Sequence, residues 1–195
     1  IEAGEKIGLI GPNGAGKTTL LKLIMGLETP DQGQVSFGYG VKPGYFSQLD
    51  DVTALTGTPF SQVMEAQDLD NTEARILLGR FLFRGEEVFK PVSELSGGER
   101  RRLGILKLML SKANFLILDE PTNHLDLESI EAVEEALRDF QGTVLIVSHD
   151  RSFLHEIVDR YLVLENGRLI SVPTYQDYLD WRIQNQEQLS GHIDK

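Results

Sequence analysis

The segment Gly11-Pro12-Asn13-Gly14-Ala15-Gly16-Lys17-Thr18 matches G-x-x-x-x-G-K-[ST] at every fixed position. Its chemistry is that of phosphate. The glycines let backbone N–H groups converge on phosphate oxygens without a Cβ in the way, and a following helix adds the positive end of its dipole. In such a loop Lys17 reaches the β- and γ-phosphates and the Thr18 hydroxyl ligates Mg²⁺. A second pattern complements it. The apolar run Phe115–Leu118 ends in Asp119-Glu120, which puts two carboxylates at the C-terminal edge of a parallel sheet, where ligands bind. Asp119 then holds Mg²⁺, directly or through water, and Glu120 polarises the attacking water as general base. Alone, such a pair reads as a helix-capping turn; beside a complete phosphate loop the catalytic reading prevails. Gln48 and His149 each follow a short strand. Gln48 has an amide oxygen for the metal and the lytic water, and a neutral imidazole at His149 suits the γ-phosphate. Taken singly, Gln48 reads better as an exposed loop residue, and His149 equally well as a structural histidine.

The elements that position these residues follow from hydrophobic patterning. Lys6–Ile10 reads as a buried strand before the glycine loop, and Lys17–Met25 as the helix after it. Gln34–Phe37 and Gly44–Phe46 read as a hairpin around Gly38-Tyr39-Gly40. From Thr53 to about Phe83 the pattern is helical. Ala74, Leu77, Leu78, Phe81 and Leu82 form one face there, with Asn71 or Thr72 as the cap. After a polar connection, a helix over roughly Gly98–Leu110 is predicted. Two buried strands follow, Phe115–Leu118 and Thr143–Val147, with a helix carrying Ile130, Val133, Leu137 and Phe140 between them. A short helix spans about Arg151–Val158. Tyr161–Leu164 and Arg168–Val172 flank Asn166-Gly167, a hairpin signal, and Tyr175–Leu189 reads as a last helix. Buried strands alternating with helices imply an α/β fold with a mostly parallel sheet. The expected division is a core of residues 1–50 and 90–172, a helical insertion over 51–89, and a helical extension over 173–195.

Composition narrows the classes. The chain of 195 residues has 19 Lys+Arg against 30 Asp+Glu, a formal charge of −11. A surface-wide nucleic-acid clamp is disfavoured, because each neutralised phosphate needs a nearby cation. There is no cysteine, so disulfides and cysteine-ligated metals are excluded. The longest apolar runs are four residues, against about 20 for a membrane span. The first residues, Ile1-Glu2-Ala3-Gly4-Glu5-Lys6, lack the apolar core of a signal peptide, and a cytoplasmic location is expected. The acids between Asp119 and Asp139 read mostly as a solvated helix face. A chain starting directly before a core strand reads as a fragment of a longer protein.

One more segment carries chemistry. Leu95-Ser96-Gly97-Gly98-Glu99 opens a helix as a capping box, and its glycine-bearing N-terminus is also able to bind phosphate. With it, the ordered set of motifs resembles the ATP-binding-cassette (ABC) ATPases. These residues are the phosphate loop, Gln48, Leu95–Glu99, Asp119-Glu120, Leu125-Asp126 and His149. Details resemble the soluble F subfamily, which lacks membrane domains and acts on ribosomes. They are Glu99 followed by Arg100-Arg101-Arg102, the run Asp119-Glu120-Pro121-Thr122-Asn123-His124-Leu125-Asp126, Ser148-His149-Asp150-Arg151, and Tyr175-Gln176-Asp177-Tyr178-Leu179. The segment Gly40–Gln48 is most like the second cassette of such two-cassette proteins.

The resemblance implies a P-loop NTPase fold of ABC type with an antiparallel hairpin region and a helical insertion. It implies ATP bound by Gly11, Pro12, Asn13, Gly14, Ala15, Gly16, Lys17, Thr18 and Thr19. Mg²⁺ falls to Thr18, Gln48 and Asp119, and catalysis to Glu120, His149 and Gln48. Leu95, Ser96, Gly97, Gly98 and Glu99 would act in trans on a second cassette, in the same full-length chain or as a homodimer. The ribosome is the implied partner. The family's adenine-stacking aromatic lies N-terminal to Ile1, so weak base affinity is expected. The three arginines read as a solvated basic face. A transporter motor subunit is the alternative. A chromosome or repair ATPase head is disfavoured, because only 46 residues (49–94) separate Gln48 from Leu95.

Overall fold

A computed structural model of the chain describes residues 1–47, 56–67 and 69–190. Six strands form one sheet: β1 (Lys6–Ile10), β2 (Pro43–Phe46), β3 (Phe115–Asp119), β4 (Thr143–Val147), β5 (Arg160–Glu165) and β6 (Arg168–Val172). Their spatial order is β2-β3-β4-β1-β5-β6. The first five are parallel, and β6 closes an antiparallel hairpin on β5, turning at Asn166-Gly167 with both residues at positive φ as a two-residue turn requires. Seven α-helices accompany the sheet among the described residues. They are α1 (Lys17–Ile24), α2 (Pro59–Ala66), α3 (Asn71–Arg80), α4 (Gly97–Leu110), α5 (Leu127–Asp139), α6 (Arg151–Ile157) and α7 (Tyr175–Ser190). None is long and apolar enough to cross a membrane.

Strand periodicity sorts the core into two layers. Ile7, Leu9, Phe115, Ile117, Leu145 and Val147 point to the face covered by α1, around Leu21. Ile10, Leu116, Leu118, Val144 and Ile146 point the other way, toward Leu103, Ile105 and Leu106 of α4 and Val133 and Leu137 of α5. The two-residue repeat therefore sends Asp119, the last residue of β3, to the same face as Phe115 and Ile117, beside α1.

Three local expectations are corrected. Residues 34–38 form no strand, and β2 pairs in parallel with β3, Gly44 opposite Leu116. Asn114 directs this pairing: its side chain accepts the Lys42 N–H at 2.8 Å and donates to Gly40 O at 3.0 Å. The helical stretch toward Phe83 is broken, since Gln67 is extended and Asp70 starts α3 afresh. Its cap is Asp70, not Asn71 or Thr72. The Asp70 carboxylate accepts the N–H groups of Thr72 and Glu73, and Glu73 reaches back to the Asp70 N–H at 2.9 Å. An aspartate that satisfies two orphan amides outcompetes a neutral neighbour. Third, two of the three arginines after the signature do not belong to a solvated face, while Arg100 is half-buried. Arg101 is 5% and Arg102 8% exposed, because α4 runs through the interior and its neighbours supply acceptors.

Candidate functional site

β1 delivers the chain to Gly11, whose φ is +151°. A Cβ there would lie 2.1 Å from Leu164 O in β5, so only glycine passes. The loop then turns with an Ala15 N–H bond to Pro12 O. Gly16 caps α1 in the left-handed conformation and offers no side-chain acceptor. The amides of the first turn thus lack a side-chain cap and stand open to an anion. Lys17 Nζ donates to Gly11 O at 2.9 Å and Pro12 O at 3.0 Å, so the ammonium is satisfied by the loop it would leave for a phosphate.

Opposite the loop, β3 ends at Asp119, and Glu120 continues the ladder by donating its N–H to Val147 O at 2.8 Å. Its φ of +52° is a conformation that costs a non-glycine residue roughly 1–2 kcal/mol. The Glu120 side chain is buried, 9% exposed. Its Oε2 accepts the His149 main-chain N–H at 3.2 Å. Its Oε1 lies 3.4 Å from His149 Nε2 and, among the described residues, has no hydrogen-bond partner. Burial pushes the Glu120 carboxyl above its ordinary 4.5, and the His149 N–H opposes the rise. Thr122 Oγ1 and Ser148 Oγ, 3.3 Å apart, tie the two strand ends together below these groups.

A cavity of about 450 Å³ is enclosed by Asn13–Gly14 and Gly16–Thr19 on one side and Asp119, Glu120 and His149 on the other. A phosphate-loop amide cradle and a strand-end carboxylate pair, separated by 102 residues of sequence from Lys17 to Asp119, meet here. The donors present suit Mg²⁺. Thr18 and Asp119 offer hard oxygen donors from the two sides of this cavity, and no group of three His, Cys, Asp or Glu among the described residues forms a metal cage. That sparse set fits an ion that keeps water and substrate phosphates in its shell.

The signature segment lies elsewhere. Ser96 caps α4, its Oγ accepting the Glu99 N–H at 3.2 Å, while the Glu99 carboxylate accepts the Ser96 N–H at 2.6 Å. That backbone bond, chiefly, holds the Glu99 carboxyl below its usual range. Leu95 is buried, and a Cβ on Gly97 would meet nothing within 4 Å. None of Leu95–Glu99 lines the phosphate cavity. Gln48 lies outside the described residues.

Sequence reasoning passed over Arg101. Its Nε donates to Pro121 O at 3.1 Å and a terminal nitrogen to Glu120 O at 2.6 Å. Arg102 donates to the Ser129 hydroxyl and lies over the Phe83 ring. The signal was available: Leu103, Ile105, Leu106, Leu108, Met109 and Leu110 occupy too much of the α4 circumference for a single buried stripe, so a charge on it needs a protein partner.

Fold and cavity together define a P-loop nucleotide-binding domain. Comparison with known proteins makes the class specific: residues 1–123 match the ABC transporter family model, and the chain belongs to this family of ATP-binding cassettes. It is 49% identical over 172 residues to ABC transporter F family member 5 of Arabidopsis thaliana, covering 87% of this chain and 25% of that protein. It is 44% identical over 167 residues to the energy-dependent translational throttle protein EttA of Escherichia coli K12, covering 83% of this chain and 30% of that one. The solved structure of an RNase-L inhibitor superposes with a TM-score of 0.78 at 29% identity, over 94% of this chain and 38% of the other. The chain thus spans about a quarter to a third of the two F-type relatives, as one cassette of two would.

Proposed function

We propose that this chain is one ATP-hydrolysing cassette of an F-type protein whose ATP-driven closure acts on the ribosome. The observation that carries the reading is Glu120 Oε1, a buried acceptor with no hydrogen-bond partner among the described residues and only the exposed His149 imidazole near it, set at the phosphate cradle. A base about to take a proton from water needs such a vacant lone pair. Lys17 releases Gly11 O and Pro12 O to meet the β- and γ-phosphates, while the first-turn amides of α1 hold the phosphate oxygens. Glu120, fixed by the His149 N–H, orients the water in line with the γ-phosphate, and the His149 imidazole closes the other side. Thr18 and Asp119, with Gln48 as a further ligand, would hold Mg²⁺, which would supply neutralisation of the phosphate charge.

One cassette leaves its γ-phosphate open to solvent. Because Leu95–Glu99 lie outside the cavity, Ser96, Gly97 and Gly98, anchored by the buried Leu95, are free to cap the phosphate loop of a second cassette, adding N–H donors and excluding water. ATP then joins the halves, and its hydrolysis releases them. The name of EttA, a translational throttle, supports a ribosomal target for the full-length protein. The test is Glu120→Gln in the full-length protein. ATP binding stays, turnover is lost, and the variant cosediments with ribosomes when ATP is present. Parent-like hydrolysis would remove the base assignment; a silent sedimentation profile would remove the target.

A further inference from the structure

Arg101 is more deeply buried than its role as a helix residue requires. Its guanidinium forks onto two consecutive carbonyls, Glu120 O at 2.6 Å and Pro121 O at 3.1 Å. Its carbon end lies 5.2 Å from the centroid of Phe46, a fully buried ring at the end of β2. Both carbonyls stand where β3 has just ended: Glu120 is turned into the left-handed region and Pro121 has no N–H to continue the ladder. Neither carbonyl has a strand partner in the register of β3 with β2 or β4; besides Arg101, Glu120 O accepts only the Asn123 N–H, at 3.3 Å, among the described residues. A planar fork of fixed geometry is suited to two adjacent acceptors, where a single ammonium is not.

We propose that Arg101 is a positioning residue for ATP hydrolysis, holding the Glu120–Pro121 main chain so that the Glu120 carboxylate faces the phosphate cradle. The inference rests on the reading of Glu120 as the base. It gives the signature helix a second task. Arg101 lies five residues beyond the Ser96 cap, so the position of the α4 N-terminus is passed to the base of the same cassette through one side chain. Phe46, two residues before Gln48, is clamped by the same group. The end of β2, the start of α4 and the turn after β3 thus converge on one guanidinium.

The test uses Arg101→Met, Arg101→Lys, Glu120→Gln and the Arg101→Met/Glu120→Gln pair in the full-length protein. For Arg101→Met, kcat falls about 10- to 100-fold, the range expected for a catalytic group displaced by up to an ångström. Its KM and ATP-binding stoichiometry stay within twofold, so an unfolded fraction does not account for the loss. Arg101→Lys recovers part of the rate, since an ammonium reaches one carbonyl. The double variant is no slower than Glu120→Gln alone, as expected for residues that act as a unit. A parent-like kcat in Arg101→Met, beside an inactive Glu120→Gln, overturns this proposal only. So does a multiplicative loss in the double variant. A parent-like Glu120→Gln overturns the base assignment and this proposal together. If Arg101→Met does not fold, Arg101→Lys decides: a reduced kcat at unchanged KM supports the proposal, and a parent-like kcat refutes it.

Discussion

Replacing Gly11 by alanine isolates how the phosphate loop is anchored. The added Cβ would sit 2.1 Å from Leu164 O and 3.1 Å from Leu164 C, more than an ångström inside contact distance. Leu164 cannot yield easily, because β5 is bonded to β1 on one side and β6 on the other. The loop must move instead. Overpacking of this kind costs about 1–3 kcal/mol, and an alanine held at φ +151° adds about 1–3 kcal/mol of backbone strain. At about 2–4 °C per kcal/mol for a domain of this size, Tm should fall by roughly 5–20 °C. Gly14 provides the control. It also has positive φ, +76°, but a Cβ there meets nothing within 4 Å, so Gly14→Ala pays only the left-handed term, about 1–2 kcal/mol. Calorimetric unfolding of the two variants side by side reads the difference. Equal transitions would refute the argument that the β5 carbonyl, rather than φ alone, demands glycine at position 11.

Two pH dependences follow from the ionisable groups. Burial raises the Glu120 carboxyl, and the base must be ionised to work, so the hydrolysis rate climbs with pH on a limb centred above 4.5; a limb at or below the ordinary carboxylate value contradicts the buried geometry. Arg160 binds Glu5 with two 3.0 Å bonds, joining β5 to the entry of β1, and this bonding, with a further one at Glu2, lowers the Glu5 carboxyl to about 2. A depressed carboxyl stabilises the fold above its unfolded value of 4.5, and that contribution is lost as pH falls through about 2. Because the pair is partly solvated, Arg160→Ala costs only about 1 kcal/mol at neutral pH. In denaturant titrations the difference from the parent narrows toward pH 2.

What sequence makes legible is what depends on near neighbours. The phosphate loop was readable because its pattern is complete within eight residues, although the Leu164 carbonyl that also demands glycine at position 11 lies far along the chain. The β5–β6 hairpin was readable because Asn166-Gly167 has the only backbone freedom its turn needs. The apolar run Phe115–Leu118 put Asp119-Glu120 at the C-terminal edge of a strand before any packing was known. Partners distant in sequence were not readable. Pro43–Phe46 pairs with a strand some seventy residues away, steered by the Asn114 side chain, and no local feature distinguishes that from a hairpin with residues 34–37. The arginines following Glu99 fail for the same reason. Charge runs are commonly solvated; the apolar circumference of α4 signals burial, but the acceptors that Arg101 and Arg102 reach, the carbonyls where β3 ends and the Ser129 hydroxyl, lie 19 to 27 residues on.

His149 divides its labour between two chemically independent parts. The imidazole is 65% exposed, whereas the amide proton of the same residue restrains Glu120 Oε2 at 3.2 Å. Truncating the ring to alanine therefore leaves the carboxylate tethered, and only proline, which has no amide proton, would cut the tether. A mutational series at position 149 consequently reports on the ring alone, and a residual rate in such variants measures what the backbone accomplishes unaided.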